Sequence, residues 1–422
     1  MKYKKKILLN GLRVVTIHMA DTPTVTVLVM VEAGSEYETK EKNGISHFLE
    51  HMCFKGTEKR PTALAITKEL DAIGAHYNAF TSEEYTGYYA KSAPKHLETI
   101  FDVISDLYLN QTFPVQEIEK EKGVIVEEIN MYKDLPHRHV QELFTTLLYG
   151  NQPAGWSITG TRETVLAMKR DDFINYRKKF YTPAATTVIV AGNFDEKKIN
   201  KQIQITFGSL QKNKKEKKPK VIEKQNGPQI VVENRTTDQS HLVLGVRGFH
   251  LTHPQTPIMR VLNAVLGAGM SSRLFQKLRE EMGVGYYVRS SHDAYVDHGI
   301  FSVSVGSDVK RVEEVIKAVI EELNRLKKEL VPADELKKTK DHLTGTLALG
   351  LESSDSIAEF YGYQESLRHE IKTPKDIVQE IQSITAEQIR NIAQKIFIDK
   401  NLNLAIVGPV QNQGKIKEIL KF

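Results

Sequence analysis

The chain has 422 residues, of which 40% are hydrophobic and 26% charged, and 58 basic against 53 acidic residues give a net charge of +5. This composition is typical of a globular protein of two or three domains and excludes a largely disordered chain; the mild positive excess, with no accompanying motif, indicates no nucleic-acid partner. The single cysteine, Cys53, excludes an intrachain disulfide and fits a reducing compartment. We expect it to be a small buried helix residue rather than a catalytic thiol.

The N-terminal segment is basic but does not have the pattern of a secretory signal. Only Ile7, Leu8 and Leu9 form an apolar run before Asn10-Gly11, a dipeptide that indicates a hairpin turn. Nowhere do 18 apolar residues follow one another, so no membrane-spanning helix is predicted. We expect a cytoplasmic protein without a membrane partner.

A predicted strand at 25–32 leads through a loop to the motif His-Phe-Leu-Glu-His at 47–51. Residues four apart share one face of a helix, so His47 and His51 can bind one cation, with Glu50 on the same side. The order H-x-x-E-H is the inverted form of a zinc-peptidase motif. Because so short a pattern also arises by chance, two ordinary surface or core histidines remain an alternative at this point.

Helices and strands alternate through the rest of the first half. We predict helices at 61–73, 96–109 and 115–134, a further helix ending near residue 150, and strands at 78–81, 85–91 and 186–191. A basic run without apolar residues, QKNKKEKKPK at 211–220, follows and is predicted to be a solvated linker.

The two halves of the chain resemble each other. A shift of 215 residues places TVLVMVEAG (26–34) on HLVLGVRGF (241–249), and a shift of 216 places residues 171–192 on 387–408, with matching apolar positions. We therefore predict an α+β fold of two tandem homologous domains, each a β-sheet flanked by helices. The predicted boundaries are 1–210 for the first domain, 211–224 for the linker and 225–422 for the second domain.

The second copy does not repeat the metal motif. At the positions of His47, Glu50 and His51 it carries aliphatic residues, namely Leu262, Val265 and Leu266. An apolar helix therefore satisfies the core at this place, and the polar trio of the first copy is not required for folding.

A catalytic zinc site needs a third protein ligand, and the charged helix at 115–134 offers several carboxylates. Glu121 and Glu128 are seven residues apart on one helix face, and we expect Val124 and Ile125 between them to mark the buried side. The corresponding residues of the second copy are threonines, Thr339 and Thr346. The pair thus disappears where the histidines do, although spacing does not decide which carboxylate is the ligand.

The chain resembles peptidase family M16, the zinc metallopeptidases that include pitrilysin, insulinase and mitochondrial processing peptidase. The likeness covers the whole chain, suggests the bacterial processing-peptidase-like branch, and is carried by HFLEHMCFKGT (47–57), NAFTSEEYTGYYAK (78–91), EKGVIVEEINMY (121–132) and SSRLFQKLREEMGVGYY (271–287). It implies two domains of the LuxS/MPP-like metallohydrolase fold, of which only the first carries a zinc site.

The resemblance also implies roles for individual residues. One zinc ion per chain is bound by His47, His51 and Glu128, Glu50 is the general base, and Glu121 supports the ligands without binding the metal. In the second domain, Arg279 and Tyr286 match a pair that binds the substrate carbonyl or the transition state. The substrate peptide is expected to add as a strand along Asn78, Ala79, Phe80 and Thr81.

These roles predict a zinc-dependent endopeptidase that cleaves peptides or unfolded polypeptides. In this branch of the family the Arg/Tyr pair comes from the opposing chain, so we expect a homodimer that encloses a chamber, with Arg279 and Tyr286 supplied in trans. The alternative is a non-catalytic structural subunit like the core proteins of respiratory complexes. Such subunits typically lose part of the zinc motif, whereas all four residues are present here.

Overall fold

The computed structural model describes residues 2–410 and 413–422. Its strands are β1 (Lys4–Ile7), β2 (Arg13–His18), β3 (Val25–Val31), β4 (His76–Thr81), β5 (Thr86–Ser92), β6 (Thr186–Gly192), β7 (Gln229–Glu233), β8 (Gln239–Arg247), β9 (Gly285–Ala294), β10 (Gly299–Asp308) and β11 (Asn403–Val407). Within those residues they form a six-stranded sheet in the order β1-β2-β6-β3-β5-β4 and a five-stranded sheet in the order β7-β11-β8-β10-β9.

Helices occupy most of the remaining chain. They are α1 (Ile45–Cys53), α2 (Ala63–Asp71), α3 (Leu97–Leu109), α4 (Val115–Asp134), α5 (Pro136–Tyr149), α6 (Arg162–Ala167), α7 (Arg170–Phe180), α8 (Glu196–Phe207), α9 (Thr256–Gly267), α10 (Arg273–Phe275) with a π-helical continuation (Gln276–Glu281), α11 (Val312–Lys328), α12 (Ala333–Leu349), α13 (Ser354–Tyr363) with a π-helical continuation (Gln364–Arg368), α14 (Pro374–Ser383), α15 (Ala386–Ile396) and α16 (Gln413–Ile419). The predicted α+β fold is confirmed. Across the described ranges, no helix is both long and apolar enough to cross a membrane.

The two sheets share one strand register, as expected for a duplicated unit. In the first sheet Leu28 of β3 lies opposite Ile189 of β6, and in the second Val243 of β8 lies opposite Ala405 of β11. Shifting Leu28 by 215 residues gives Val243, and shifting Ile189 by 216 gives Ala405. The same shifts that align the sequences therefore align the hydrogen-bonded pairs.

The chain forms two compact units that are not contiguous in sequence. The first contains Met1–Ile129, Ser157–Pro219 and Ala348–Thr373, and the second contains Asn130–Trp156, Lys220–Leu347 and Pro374–Phe422. Helix α13, from the second half of the sequence, packs on β3 and β6 of the first unit, and α5, from the first half, packs on β8 and β11 of the second. The compact units thus differ from the predicted contiguous domains by these exchanged helices.

Strand β3 is buried along its whole length because helices cover both faces of the first sheet. Its residues Val27 and Val29 belong to the core that includes α1 and α3, whereas Leu28 and Met30 pack with Tyr361 of α13. A strand covered on both faces reads as a continuous apolar run rather than as an alternating one. This explains the sequence VTVLVMV.

The predicted linker has no regular structure, and most of its side chains are exposed. Two of its lysines differ from the prediction, because they pair with carboxylates and do not simply extend into solvent. Lys218 pairs with the buried carboxylates of Glu36 and Glu84, and Lys215 pairs with the buried Glu32. Buried carboxylates need counter-charges, and the linker supplies one to Glu36 and Glu84 through Lys218, whereas Glu32 also pairs with the buried Arg13 of β2.

Candidate metal centre

Helix α1 carries the H-x-x-E-H motif next to the first sheet. The helix starts after Gly44, which has a φ of 95°, and a Cβ atom there would lie 2.6 Å from the carbonyl oxygen of Thr159. Only glycine fits both conditions. Phe48 and Leu49 are fully buried in the core and fix the rotation of the helix, so that His47 and Glu50 project from its other side.

The structure brings the three predicted ligands together. The rings of His47 and His51 lie 4.7 Å apart, and the Nε2 atom of each is 3.5 Å from Oε2 of Glu128 on α4. All three donor atoms lie within 4.8 Å of one another. Helix α4 therefore places the carboxylate of Glu128 beside the two histidines, although Glu128 follows His51 by 77 residues in the sequence.

This donor set fits zinc. Zinc binds imidazole nitrogen and carboxylate oxygen at about 2.0–2.2 Å, which places neighbouring tetrahedral ligands roughly 3.4 Å apart. The two N–O distances of 3.5 Å have this size. Three protein ligands also leave a fourth position open, as in catalytic rather than structural zinc sites.

Glu121 lies behind His51 and not among the donor atoms. The Nδ1–H group of His51 donates to Oε2 of Glu121 at 3.1 Å, and Lys55 contacts the other oxygen of Glu121 at 2.5 Å. A carboxylate in this position fixes the tautomer of a ligating histidine and leaves Nε2 free for the metal. On the same helix Ile125 is buried as expected, but Val124 is 51% exposed, so that part of the expected buried side is wrong.

The two histidines differ in charge in the metal-free site. Burial and the neighbouring His51 lower the pKa of His47 to about 4. Burial also lowers the pKa of His51, but its interactions with Glu121 and Glu128 outweigh this effect and raise the pKa to about 9. At neutral pH His47 is therefore ready to bind a metal, whereas His51 must first lose a proton.

Glu50 lies beside the metal ligands on α1. Burial raises the pKa of its carboxyl, and Thr81, at the end of β4, and His51 oppose part of this rise. A general base acts best when its pKa lies near the working pH. The environment of Glu50 therefore moves it from an ordinary surface carboxylate toward such a base.

A carboxylate that the sequence did not reveal holds the start of α1. The buried Glu38 accepts hydrogen bonds from the backbone N–H groups of Gly44 at 2.7 Å and Ser46 at 2.8 Å, and from the side-chain amide of Asn43 at 3.0 Å. Burial raises the pKa of Glu38 to about 7, although these hydrogen bonds lower it. Glu38 precedes the helix by a loop, so no capping pattern in the sequence marks it.

The predicted substrate strand lies at the edge of the first sheet. β4 pairs with β5 on one side and is the last strand in the sheet order, and α1 packs against it. Residues 78–81 thus lie on an edge whose outer backbone groups can pair with an added strand. That a peptide binds there stays a prediction.

Arg279 and Tyr286 belong to the second unit, where the structure places them next to each other. Arg279 lies in the π-helical turn after α10 and donates to the backbone oxygen of Tyr286 at 2.8 Å. Tyr286 is 61% exposed at the start of β9. Both side chains line a cavity of about 420 Å³ together with Asp308 and Arg311. Their action on a substrate stays a prediction.

Comparison with known proteins agrees with this architecture. Residues 13–162 match the family described as Insulinase (Peptidase family M16), and residues 167–343 match the Peptidase M16 inactive domain. The chain is 36% identical over 403 residues to the uncharacterized zinc protease YmxG of Bacillus subtilis, covering 96% of this chain and 97% of that protein. It is 33% identical over 414 residues to an uncharacterized zinc protease of Streptomyces coelicolor, covering 96% and 89% respectively.

Solved structures show that the fold is shared. A protease from Helicobacter pylori superposes with a TM-score of 0.91 at 23% identity, covering 97% of this chain and 100% of its own. A peptidase M16 inactive domain from Pseudomonas fluorescens gives a TM-score of 0.90 at 18% identity, covering 98% and 100%. The fold is thus that of the two-domain α+β proteins of the peptidase class. The chain belongs to peptidase family M16, and its relatives are named zinc proteases.

Proposed function

We propose that this chain is a zinc-dependent endopeptidase of the inverted H-x-x-E-H type. The observation that carries the proposal is the convergence of His47, His51 and Glu128, with donor atoms within 4.8 Å, beside Glu50 on the same helix. When bound there, zinc lowers the pKa of water and polarises the scissile carbonyl as a Lewis acid. A cytoplasmic location, expected from the single cysteine, is part of the proposal.

The chain's own residues position the substrate and move the proton. Glu50 accepts a proton from the attacking water and passes it to the leaving amine. A peptide segment pairs with the outer edge of β4 through backbone hydrogen bonds, which favours extended peptides and unfolded polypeptides over folded proteins. Because such pairing reads little of the side chains, it supports a broad substrate range.

The proposal is tested by zinc content and by cleavage of an unstructured fluorogenic peptide. Glu50→Gln is expected to keep about one zinc per chain and to lose roughly 10²–10⁴-fold in cleavage rate. Glu128→Gln is expected to lose the zinc. Glu127→Gln is the matched control, because Glu127 is the exposed neighbour of Glu128 on α4 and should change neither measurement.

Two results would contradict the assignment. Full cleavage by zinc-loaded Glu50→Gln would show that Glu50 is not the base. A wild-type chain that binds no zinc and cleaves nothing would instead support the alternative, a non-catalytic structural subunit.

We further propose a homodimer in which Arg279 and Tyr286 of one chain act at the zinc site of its partner, within an enclosed chamber. The proposal is supported by the presence of both elements in one chain, so that two identical subunits supply everything two sites need. Light scattering coupled to size exclusion should give a dimer. A fully active monomer would overturn the proposal.

A further inference from the structure

One face of the second sheet is covered by a helix only in part. On this face Val243 of β8 packs with Val140 and Phe144 of α5 in an apolar cluster. Farther out on the same face, Ser304 of β10 lies opposite Val243, and Arg289 of β9 lies opposite Ser304. The apolar part of the face is therefore filled by α5, and the polar part lies beyond it.

A cavity of about 370 Å³, the polar groove, lies over this outer part. The described residues that line it each carry a polar group, namely Tyr287, Arg289, Ser291 and Asp293 of β9, Ser304 of β10, and His137 and Gln141 of α5. Gln141 donates to the hydroxyl of Ser304 at 2.9 Å, and Ser291 donates to Asp293 at 3.1 Å. Arg289 is exposed, and within the described ranges no acidic side chain forms an ion pair with it.

The shared strand register identifies the corresponding place in the first sheet. Leu28, which corresponds to Val243, lies opposite Tyr89 of β5, and Tyr89 lies opposite Asn78 of β4. Tyr89 therefore corresponds to Ser304, and Asn78 corresponds to Arg289.

In the first sheet this place is filled by aromatic rings. Phe80, which corresponds to Ser291, lies over Gly87 so closely that a Cβ atom on Gly87 would be 2.2 Å from the ring. The ring centroid of Phe80 is 6.4 Å from that of Tyr89 and 6.0 Å from that of Tyr85. The duplicated fold can thus be closed at this position by apolar packing, and the second copy replaces that packing with a polar hollow.

We propose that the polar groove binds a carboxylate of the substrate peptide through Arg289, an inference that rests on the proposed peptidase function. A guanidinium that forms no ion pair with the described residues suits a carboxylate because it can donate two parallel hydrogen bonds to it. Asp293 is four residues farther along β9, so its Cα atom lies about 13 Å from that of Arg289. Its carboxylate accepts a hydrogen bond from Ser291, which lies between them on the same face. The carboxylate belongs either to the C-terminus of the peptide or to an aspartate or glutamate side chain.

Peptide binding is measured by fluorescence anisotropy on the Glu50→Gln protein, in which any cleavage of the probes is expected to be slow. The probes are peptides without other charged side chains, labelled at the N-terminus with a dye that carries no carboxylate. They have either Glu or Gln at one central position, each with a free or an amidated C-terminus. Adding Arg289→Ala should weaken the binding of carboxylate-bearing peptides about tenfold, the size of one exposed charge-assisted interaction, and leave the amidated Gln peptide unchanged.

Three further variants sharpen the test. Arg289→Lys should retain part of the affinity as a single cationic donor, and Ser291→Phe should lose it by filling the groove as Phe80 does in the first sheet. Lys317→Ala removes one positive charge from an exposed face of α11 and should leave all affinities unchanged.

The pattern across the peptides decides the proposal. Loss for the amidated Glu peptide indicates a side-chain carboxylate, and loss for the Gln peptide with a free end indicates the C-terminus. Equal effects on all probes, or none, would overturn the proposal. Cleavage by the wild-type chain is recorded separately, so that an inactive protein contradicts the proposed function without deciding the binding result.

Discussion

At the scale of single residues, His51 is where protons and metal compete. Its Nδ1–H group faces Glu121, and its Nε2 atom faces Glu128 at 3.5 Å, so two carboxylates favour the charged imidazolium when no metal is present. Their effect outweighs burial and raises the pKa to about 9. When a metal takes the place of the proton at Nε2, Glu121 still accepts the hydrogen bond from Nδ1, which is the arrangement a ligating histidine needs.

Zinc binding should therefore release about one proton per site at pH 7, because His51 is protonated and His47, with a pKa of about 4, is not. For the same reason zinc affinity should rise about tenfold per pH unit between pH 5 and 8 and level off above 9. Titration calorimetry in buffers of different ionisation enthalpy measures the release. Glu121→Gln should lower the pKa of His51 and reduce the release, whereas zero or two protons in the wild type would contradict this account.

The stability of the metal-free protein should have the opposite pH dependence. Because the pKa of His51 is raised above its ordinary 6.5, the stabilisation it gives is complete below that value and is lost as the pH rises through about 9. The stabilisation that zinc gives should grow over the same range. Thermal melts with and without zinc should diverge as the pH is raised.

At the scale of elements, the position of α1 depends on Glu38. Glu38→Ala would leave the N–H groups of Gly44 and Ser46 without their acceptor, and should lower the free energy of unfolding by about 3 kcal/mol, from roughly 1–3 kcal/mol for each unsatisfied buried group. Glu38→Gln should cost less, because burial already raises the pKa of the carboxyl to about 7 and a neutral amide oxygen still accepts.

Urea unfolding followed by circular dichroism measures this loss in the metal-free protein. The matched control is Glu41→Ala, in the same loop but exposed, which should not change the unfolding midpoint. Equal midpoints for Glu38→Ala and the wild type would show that α1 does not need this cap.

The linker should behave as a structural element and not as a spacer. Lys218→Ala would remove the counter-charge of Glu36 and Glu84 and should lower the free energy of unfolding by roughly 3 kcal/mol, as for other broken buried pairs. Burial raises the pKa of Glu36 from 4.5 to about 8 even with Lys218 present. Because this pKa is raised, the stabilisation that protonated Glu36 gives the fold is complete below pH 4.5 and is lost as the pH rises through about 8. Glu36 therefore needs the charge of Lys218 more at pH 8 than at pH 5, and the loss of stability in Lys218→Ala should be larger at pH 8.

The exposed Lys217→Ala serves as the control for Lys218→Ala in parallel urea titrations at the two pH values. If both variants lower the free energy of unfolding by the same small amount, the segment is the solvated linker that its composition predicts.

How much of the fold is predictable differs between elements. The apolar run of β3 and the motif of α1 predict their elements because the signal is local. The exchange of α5 and α13 is not predictable in this way, because periodicity shows that a helix has an apolar face but not which sheet that face covers. The roles of Glu38 and Lys218 are likewise not predictable from the sequence, because their partners are set by tertiary contacts and not by spacing.

At the scale of the whole molecule, the two copies of the duplicated unit carry different polar groups. The helix equivalent to α1 in the second unit is α9, where Leu262 and Leu266 are fully buried in place of the histidines. The second unit instead has Arg279 and Tyr286 beside each other and the polar groove. One copy thus carries the candidate metal site, and the other carries the groups that are proposed to hold a peptide.

If the two tasks meet between chains, a mixture of two inactive variants should regain activity. In a heterodimer of one Glu50→Gln chain and one Arg279→Ala chain, each zinc site would take its Arg279 from the other chain. One site would therefore carry both substitutions, and the other site would carry neither. Random reassociation should therefore restore about a quarter of the wild-type rate, since half of the dimers are mixed and each has one intact site. Both variants should bind zinc when tested alone, because neither residue is a proposed ligand. A mixture with no more activity than its components would show that Arg279 acts in its own chain, and would remove the reason for expecting a dimer.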